Sequence, residues 1–597
     1  MRGTANVALS AIKVLLLAAF MLGINPLLRE RVADIGVQPA LLVFLAVWVL
    51  AGVALLALAF LAGPLARTCW SVLLFCAATM HLAHVGITGR PLGLLDFEQL
   101  LGLAGFAGNL AGFHAGPILS AMAWSLLGVV AINMPPFLLR DHPSHGWRKW
   151  TRYAPGVLQC VPVLAIATVV HARGGEGSNG MPGQYTAPAF AFVLGLEQAA
   201  APPPEPRRAV TLAAEGLASP LRHIALVVDE SVHGGFLDLN SDRGVDTGLR
   251  SASGTVSNFG IASSIANCST TSNAGLRFGI GRDDYLRDLQ RHPSIWQYAR
   301  RAGYRTVYID AQRHGGRLQN LMTPEEARDI DAFVQLDSAT PVDQRDIQAG
   351  QRLREALSRT EPSFILVNKM GCHFPYEGKY PARQAPHSPT MARTYFGNEG
   401  DPDIALARID GDRERMLNSY RNCLQWNTRQ FFDQVLPSLP LDDVLIVYTA
   451  DHGQNFHEPG EPHRQTHCTI GPADPDEGTV PLATITGHPG LAVQLAQAAK
   501  RNHGRASQFS LHPTLLWLMG FPRHQLTTDR GFEPDLLSPL DADGQRFLST
   551  FFVRFGRAPV WNSIRPDASQ ASGSAMSASA SVGTDAGTDA GTDAATR

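Results

Sequence analysis

An apolar segment that ends in an aspartate and a histidine is the feature of this chain best suited to chemistry. Residues 443–453 read Asp-Val-Leu-Ile-Val-Tyr-Thr-Ala-Asp-His-Gly, and the Val, Ile and Tyr are typical of a buried strand. Asp451 and His452 follow where that strand leaves the sheet. A carboxylate oxygen beside an imidazole nitrogen suits a divalent metal such as zinc. A polar turn is the alternative interpretation.

A second carboxylate follows another predicted strand. The apolar residues 224–228 lead directly into Asp229, Glu230 and Ser231. Ligands in open α/β sheets gather at the carboxyl ends of the strands, so Glu230 and the Asp451-His452 pair are expected at one edge of the sheet. A structural role for Glu230 in capping or solvating a turn is the alternative.

Two further segments carry candidate catalytic groups. The hydroxyl-rich run Cys-Ser-Thr-Thr-Ser-Asn at 268–273 is typical of a helix N-terminus, and a hydroxyl beside a dication can act as a nucleophile. His373 follows the predicted strand at 363–369. It is a candidate to bind a substrate phosphate, to protonate a leaving oxygen or to occupy a second metal site; a turn histidine without catalytic work is the alternative.

The segment 461–468, Glu-Pro-His-Arg-Gln-Thr-His-Cys, supplies a further candidate metal ligand. His467 is the preferred choice and His463 the alternate, because the path of the loop does not follow from the sequence.

The first 173 residues are predicted to form a membrane domain. Five apolar segments are each long enough to cross a bilayer as a helix, which needs about 20 residues. They are residues 7–28, 40–63, 68–89, 113–139 and 153–170. The basic residues place the N-terminus in the cytoplasm, so five crossings place the large C-terminal part outside it. The formal net charge of −2, with 17% charged residues, gives no support to a nucleic-acid role.

The remaining chain divides by composition. Residues 174–222 are predicted to be a linker, 223–540 a catalytic α/β domain, 541–565 a C-terminal extension, and 566–597 a disordered tail of Ser, Ala, Gly and Asp. Strands alternate with helices in the catalytic domain, which predicts a mostly parallel sheet covered by helices on both faces. Four of the seven cysteines lie in this domain and permit two disulfides of undetermined pairing.

The order of these residues resembles that of the alkaline phosphatase superfamily, and within it the membrane-bound phosphoethanolamine transferases. The resemblance implies an alkaline-phosphatase-like (sulfatase-like) domain behind five transmembrane helices. It also implies Thr270 as the nucleophile, with Ser269 and Thr271 as alternatives, and His373 as a substrate-side catalytic residue. The metal ligands that it implies are Glu230, Thr270, Asp451, His452 and His467.

The resemblance further implies a function. The expected metal is Zn²⁺, with Mn²⁺ as the alternative, and the expected reaction moves a phosphoethanolamine-type head group from a phospholipid to an envelope glycolipid or glycan through a phosphothreonine. The expected location is the bacterial inner membrane, with the catalytic domain facing the periplasm. A phosphoglycerol transferase, a phosphodiesterase or sulfatase-like hydrolase, and an inactive membrane scaffold are the alternatives.

Overall fold

The computed structural model of the 597-residue chain describes most of the sequence. The described residues are 2–102, 115–138, 147–200, 206–215, 221–252, 255–391, 413–456, 466–469, 471–528, 531–549 and 559–564. The predicted disordered tail and His463 lie outside them.

The regular secondary structure of the N-terminal part of the described chain is all helical. Its helices are α1 (Arg2–Gly23), α2 (Leu28–Ile35), α3 (Pro39–Leu61), α4 (Pro64–Thr88), α5 (Leu94–Gly102), α6 (Ala115–Asn133), α7 (Trp147–Leu158), α8 (Cys160–Ala172) and α9 (Gly183–Ala200). Within the described residues, five stretches are long and apolar enough to span a membrane: Asn6–Gly23, Pro39–Leu61, Pro64–Ile87, Ala115–Asn133 and Tyr153–Ala172. They match the five predicted segments.

The one charged residue of the first predicted span is hydrogen-bonded inside the helical bundle. Lys13 is fully buried, and its ammonium group donates hydrogen bonds to the carbonyls of Ala59 (2.6 Å) and Met134 (2.7 Å). It also lies 4.7 Å from the centre of the Phe60 ring. Since an unpaired charge in an apolar layer is costly, these contacts explain how α1 tolerates a lysine.

The segment predicted as a linker contains a packed helix. Helix α9 (Gly183–Ala200) contacts α4 and α8, and the Tyr185 hydroxyl at its start donates to the Gln159 side chain at 2.7 Å. The membrane domain of the described chain therefore includes this helix, and the extended connection begins after it.

Seven strands of the described chain form one mixed sheet in the C-terminal part. They are β1 (His223–Asp229), β2 (Thr255–Ser263), β3 (Arg305–Asp310), β4 (Ala332–Gln335), β5 (Ser363–Asn368), β6 (Val444–Ala450) and β7 (Thr479–Thr486), in the order β2-β7-β6-β1-β5-β3-β4. The pairs from β6 through β4 are parallel, and β7 pairs antiparallel with both β6 and β2. This confirms the predicted mostly parallel sheet.

Helices and a small hairpin complete this part. The helices are α10 (Ser269–Phe278), α11 (Tyr285–Arg291), α12 (Ile295–Arg301), α13 (Pro324–Ala327), α14 (Val342–Leu357), α15 (Arg413–Val435), α16 (Pro489–Arg501), α17 (Leu511–Leu518) and α18 (Arg523–Thr528). The hairpin consists of β8 (Arg546–Ser549) and β9 (Val560–Ser563).

The C-terminal hairpin contacts the chain just before α10. The Leu548 amide donates to the Ile265 carbonyl at 3.0 Å, and the Asn267 amide donates to the Leu548 carbonyl at 3.2 Å. The residues predicted as a C-terminal extension therefore help to fix the start of the helix that carries the hydroxyl-rich segment.

Candidate active site

Two neighbouring parallel strands deliver the central residues of the site. Glu230 follows β1, and Asp451 and His452 follow β6. Asp229 pairs with Ala450 in the register of the two strands, so the next residue of each emerges at the same edge. One potential ligand atom from each of Glu230, Asp451 and His452 lies within 4.8 Å of the others. All three side chains are buried.

The turn after β1 orients both carboxylates. Ser231 adopts a left-handed φ of 57°, which is uncommon for a residue with a side chain. Its amide donates to Asp451 Oδ1 at 3.0 Å, and its hydroxyl donates to Glu230 Oε1 at 2.7 Å. The Tyr420 hydroxyl donates to the Ser231 carbonyl at 2.8 Å. This turn therefore connects the ends of β1 and β6 around the candidate ligands.

A glycine gives the neighbouring segment close access to Glu230. Gly371 has a φ of 52°, and a Cβ at this position would lie 2.6 Å from the backbone nitrogen of Glu230. Because no side chain fits at that distance, the segment that carries His373 depends on glycine here.

The hydroxyl of Ser269 lies against this cluster. Ser269 is the first residue of α10 and is buried. Its Oγ is 3.1 Å from His452 Nε2 and 3.3 Å from Glu230 Oε2. A helix N-terminus presents unpaired backbone N–H groups and favours negative charge, so this end of α10 suits a phosphate group.

The contacts in the structure favour a different hydroxyl from the predicted one. Thr270, predicted as nucleophile and metal ligand, is partly exposed, and none of the described contacts joins its side chain to Glu230, Asp451 or His452. Successive helical residues point about 100° apart around the axis, so Ser269 and Thr270 do not face the same group. Ser269, one of the two alternative nucleophiles, lies where Thr270 was expected.

Two predicted histidines lie beside the cluster. The His467 ring stacks on the His452 ring with centroids 4.4 Å apart, and the His373 ring contacts His467 edge-on at 4.9 Å. The structure therefore places the three imidazoles in one row that starts at the candidate metal ligands. His467 lies outside the tight group of Glu230, Asp451 and His452.

The residues fit a divalent metal. Asp451 Oδ2 and His467 Nε2 are buried, and neither forms a hydrogen bond within the described part of the chain. Buried polar atoms are normally paired, so two such atoms beside a carboxylate and a second imidazole indicate a missing partner. Two carboxylates and an imidazole form a donor set that suits zinc.

The electrostatics of the group agree with this interpretation. Burial opposes charge on His452, yet Asp451 and Glu230 raise its pKa to about 10. Burial raises the pKa of Asp451, and the Glu230 carboxylate adds to that shift. Burial and the neighbouring His452 and His373 lower the pKa of His467 well below its usual value, which keeps its ring neutral. Ligand atoms must be deprotonated, so a dication held here would displace the proton of His452.

Comparison with known proteins identifies the domain that holds this group. Residues 266–521 match the family model described as Sulfatase. This part of the chain is therefore similar to the sulfatase family, and we call it the sulfatase-like domain. The matched region includes Ser269, Asp451 and His452, and Glu230 precedes it. Comparison with curated protein sequences gave no match.

Two solved structures are similar to this chain, one over most of its length and one over its C-terminal part. The integral membrane lipooligosaccharide phosphoethanolamine transferase A (EptA) from Neisseria meningitidis superposes with a TM-score of 0.60 at 16% identity, over 86% of this chain and 96% of that chain. The C-terminal periplasmic domain of EptC from Escherichia coli, in complex with Zn, has a TM-score of 0.42 at 18% identity, over 56% of this chain and 90% of that chain. The first likeness confirms the predicted overall fold.

A glutamine that the sequence did not reveal holds Glu230 in place. In the sulfatase-like domain, the side-chain amide of Gln312 donates to Glu230 Oε2 at 3.0 Å and to the Lys369 carbonyl at 2.8 Å. Gln312 follows β3, 82 residues from Glu230. No spacing rule connects the two positions, and only the shared sheet edge brings them together.

Replacement of this glutamine is expected to weaken metal binding. Gln312→Leu removes the donor that orients Glu230, and loss of such a partner typically costs about 10- to 100-fold in metal affinity. Competition titration with a chromophoric zinc chelator measures this change. Gln351→Leu makes the same replacement on an exposed position of α14 and should leave the affinity unaltered. Equal affinities for the two variants would contradict the role of Gln312.

A network of buried charged side chains joins the elements that carry the site. Lys369 Nζ lies 2.5 Å from Asp229 Oδ2 and 3.7 Å from Asp346 Oδ2, and all three side chains are almost completely buried. The Tyr448 hydroxyl donates to Asp229 Oδ2 at 3.0 Å. Asp346 accepts the backbone amide of Met370 at 2.7 Å, which fixes the approach to His373. The network connects β1 and β6 to the segment after β5.

The four cysteines of the domain form two disulfides. Cys268 pairs with Cys468 over 200 residues, and Cys372 pairs with Cys423 over 51 residues. The sequence left this pairing open. The three cysteines of the membrane helices are free.

Glu477 connects the two segments that carry Ser269 and His467. Its fully buried carboxylate accepts hydrogen bonds from the side-chain amide of Asn267 at 2.9 Å and from the Thr469 hydroxyl at 2.6 Å. Burial raises the pKa of Glu477 to about 7. The carboxyl group therefore changes charge near neutral pH.

The thermal stability of the protein is expected to fall between about pH 5 and pH 8, in part through Glu477. The folded-state pKa lies above the ordinary value of 4.5, so the folded protein holds this proton more tightly than the unfolded chain does. The stabilisation is complete below the ordinary pKa and is lost as the pH rises through the folded-state pKa, for a total of roughly 3 kcal/mol. Melting temperatures measured across this range test the effect. Glu477→Gln has no proton to release, so its melting curve should vary less with pH; parallel profiles would contradict the assignment.

Proposed function

We propose that the chain is a metal-dependent transferase that moves a phosphoethanolamine-type head group from a phospholipid to an envelope glycolipid or glycan. The observation that carries the proposal is the Ser269 hydroxyl, 3.1 Å from His452 Nε2 at the N-terminus of a buried helix. This arrangement suits attack on a phosphodiester, and the membrane helices keep the domain near a lipid donor. The fold shared with EptA is consistent with it.

The residues have distinct roles in the proposed reaction. Glu230, Asp451 and His452 would hold the metal, for which Zn²⁺ is the preferred identity, and His467 is a further candidate ligand. The bound metal would lower the pKa of the nucleophile and neutralise charge that develops on the phosphate. The N-terminus of α10 would bind the phosphate oxygens, and Ser269 supplies the nucleophile.

The transfer takes place in two steps. Ser269 Oγ forms a bond to the head-group phosphorus, the bond from phosphorus to the glycerol oxygen breaks, and diacylglycerol leaves with a proton. A hydroxyl or phosphate oxygen of the acceptor then attacks phosphorus, and the bond to Ser269 breaks. His373, next to His467, is placed to bind a phosphate oxygen or to give the proton to the leaving oxygen.

The five apolar stretches support a location for this reaction. With the N-terminus in the cytoplasm, five crossings would put the sulfatase-like domain on the outer side of a bacterial inner membrane. The proposed donor is therefore a lipid of the periplasmic leaflet.

A labelled-lipid assay tests the proposal. The full-length protein in detergent is given zinc, a lipid-A-type acceptor, and either phosphatidylethanolamine labelled in ethanolamine or phosphatidylglycerol labelled in the head-group glycerol. We expect ethanolamine label on the acceptor, release of diacylglycerol, and loss of both on chelation. Transfer of glycerol would instead indicate a phosphoglycerol transferase, and label found only in water-soluble products would indicate a hydrolase. A protein that binds no zinc or manganese and turns over neither lipid would be a scaffold.

A further inference from the structure

Both cysteines of one disulfide adjoin residues of the site. Cys268 directly precedes Ser269, and Cys468 directly follows His467. The bridge joins these positions across 200 residues of sequence. It therefore fixes the start of α10 relative to the segment that carries the outer histidine.

Three of the candidate metal ligands do not depend on this bridge. Glu230, Asp451 and His452 are placed by the paired ends of β1 and β6, and the Ser231 turn connects them. His467 belongs to no helix or strand. Its segment is held by hydrogen bonds, among them the one that the backbone amide of Asn455 donates to the Thr466 carbonyl at 2.8 Å.

The backbone at Cys468 needs external support. Cys468 has a φ of 58°, a left-handed conformation that is unfavourable for a residue with a side chain. The disulfide and the hydrogen bond from the Cys468 amide to the Asn267 carbonyl (2.8 Å) maintain this conformation. Since His467 is the preceding residue, relaxation of this turn would move its ring away from His452.

We infer that the Cys268–Cys468 disulfide is a positioning element that holds the His467 ring against His452, next to the start of α10, so that turnover depends on the oxidised bridge. The inference rests on the proposed transferase function. Reduction by a dithiol passes two electrons to the bridge, forms two cysteine thiols and leaves the dithiol as its own disulfide. The active form is thus the one that an oxidising compartment maintains.

The double variant Cys268→Ser/Cys468→Ser tests the inference in the full-length protein. We expect kcat for head-group transfer to fall about 10- to 100-fold, as displacement of a catalytic group by about 1 Å can produce. Zinc should still bind, because the paired strand ends hold Glu230, Asp451 and His452 without the bridge, and kcat is compared at saturating zinc. Both quantities are measured well below the melting temperature of the variant, which removes unfolding as a cause.

The outcomes separate this inference from the proposed function. Transfer by the oxidised wild type, with a low kcat at saturating zinc in the double variant, supports the inference. Unaltered kcat at saturating zinc in the variant overturns it and leaves the proposed function standing. A wild type that binds zinc but transfers no head group overturns the proposed function itself. Treatment of the wild type with a dithiol, followed by alkylation and peptide mass spectrometry, should show activity falling as Cys268 and Cys468 become alkylated.

Discussion

Ser269→Ala is expected to lower head-group transfer by about 10³-fold or more, because loss of a nucleophile removes the covalent pathway. The Ser269 hydroxyl is within 3.4 Å of Glu230 and His452, and no other hydroxyl of α10 has described contacts to these residues. Initial rates with a labelled donor lipid measure the effect. The zinc content of the variant should stay near that of the wild type, since the two carboxylates and the imidazole are retained.

Thr270→Ala is the matched control for this experiment. It removes a hydroxyl one residue along the same helix, where the side chain is partly exposed. Its rate should remain within about threefold of the wild type, as for surface substitutions away from packed or bonded groups. A large loss in Thr270→Ala with normal rates in Ser269→Ala would reverse the assignment.

Lys369→Met is expected to lower the free energy of unfolding by about 3–5 kcal/mol, because it leaves the Asp229 and Asp346 carboxylates buried without a cation. Met conserves the length of the side chain, so the loss reports charge rather than packing. Burial raises the pKa of Asp346, and Lys369 opposes that shift. The destabilisation should therefore shrink in acid, where the carboxyl groups take up protons in place of the lost cation.

Thermal or denaturant unfolding of the full-length protein in detergent measures this loss. Lys500→Met makes the same chemical change at an exposed position of α16 and should alter stability by less than about 0.5 kcal/mol. If Lys369→Met proves as stable as Lys500→Met, the buried network does not support the site as described.

The parts of the fold that follow hydrophobic patterning were predictable. The strands that end in Asp229 and Ala450 are long apolar runs, and their polar successors predicted the positions of Glu230, Asp451 and His452. Two strands of the seven-stranded sheet were not predicted. Strand β2 reads Thr-Val-Ser-Asn-Phe-Gly-Ile-Ala-Ser, where Ser, Asn and Gly interrupt the apolar pattern, and β4 has only four half-buried residues.

The details of the site depend on contacts between distant parts of the sequence. The side chains of Ser269 and Thr270 leave the helix in different directions. These directions depend on where α10 begins and not on residue type. Gln312 and Lys369 act on partners 82 and 140 residues away. The partner of Cys268 could not be chosen because four cysteines allow three pairings.

Localisation of the covalent intermediate shows directly whether Ser269 is the nucleophile. The wild-type protein is mixed with zinc and phosphatidylethanolamine without acceptor, quenched rapidly in acid and digested, and the peptide that contains residues 268–273 is fragmented in a mass spectrometer. We expect a phosphoethanolamine group on the Ser269 oxygen, which disappears when acceptor is added. An adduct on Thr270 or Thr271, or continued transfer with no adduct on this peptide, would contradict it.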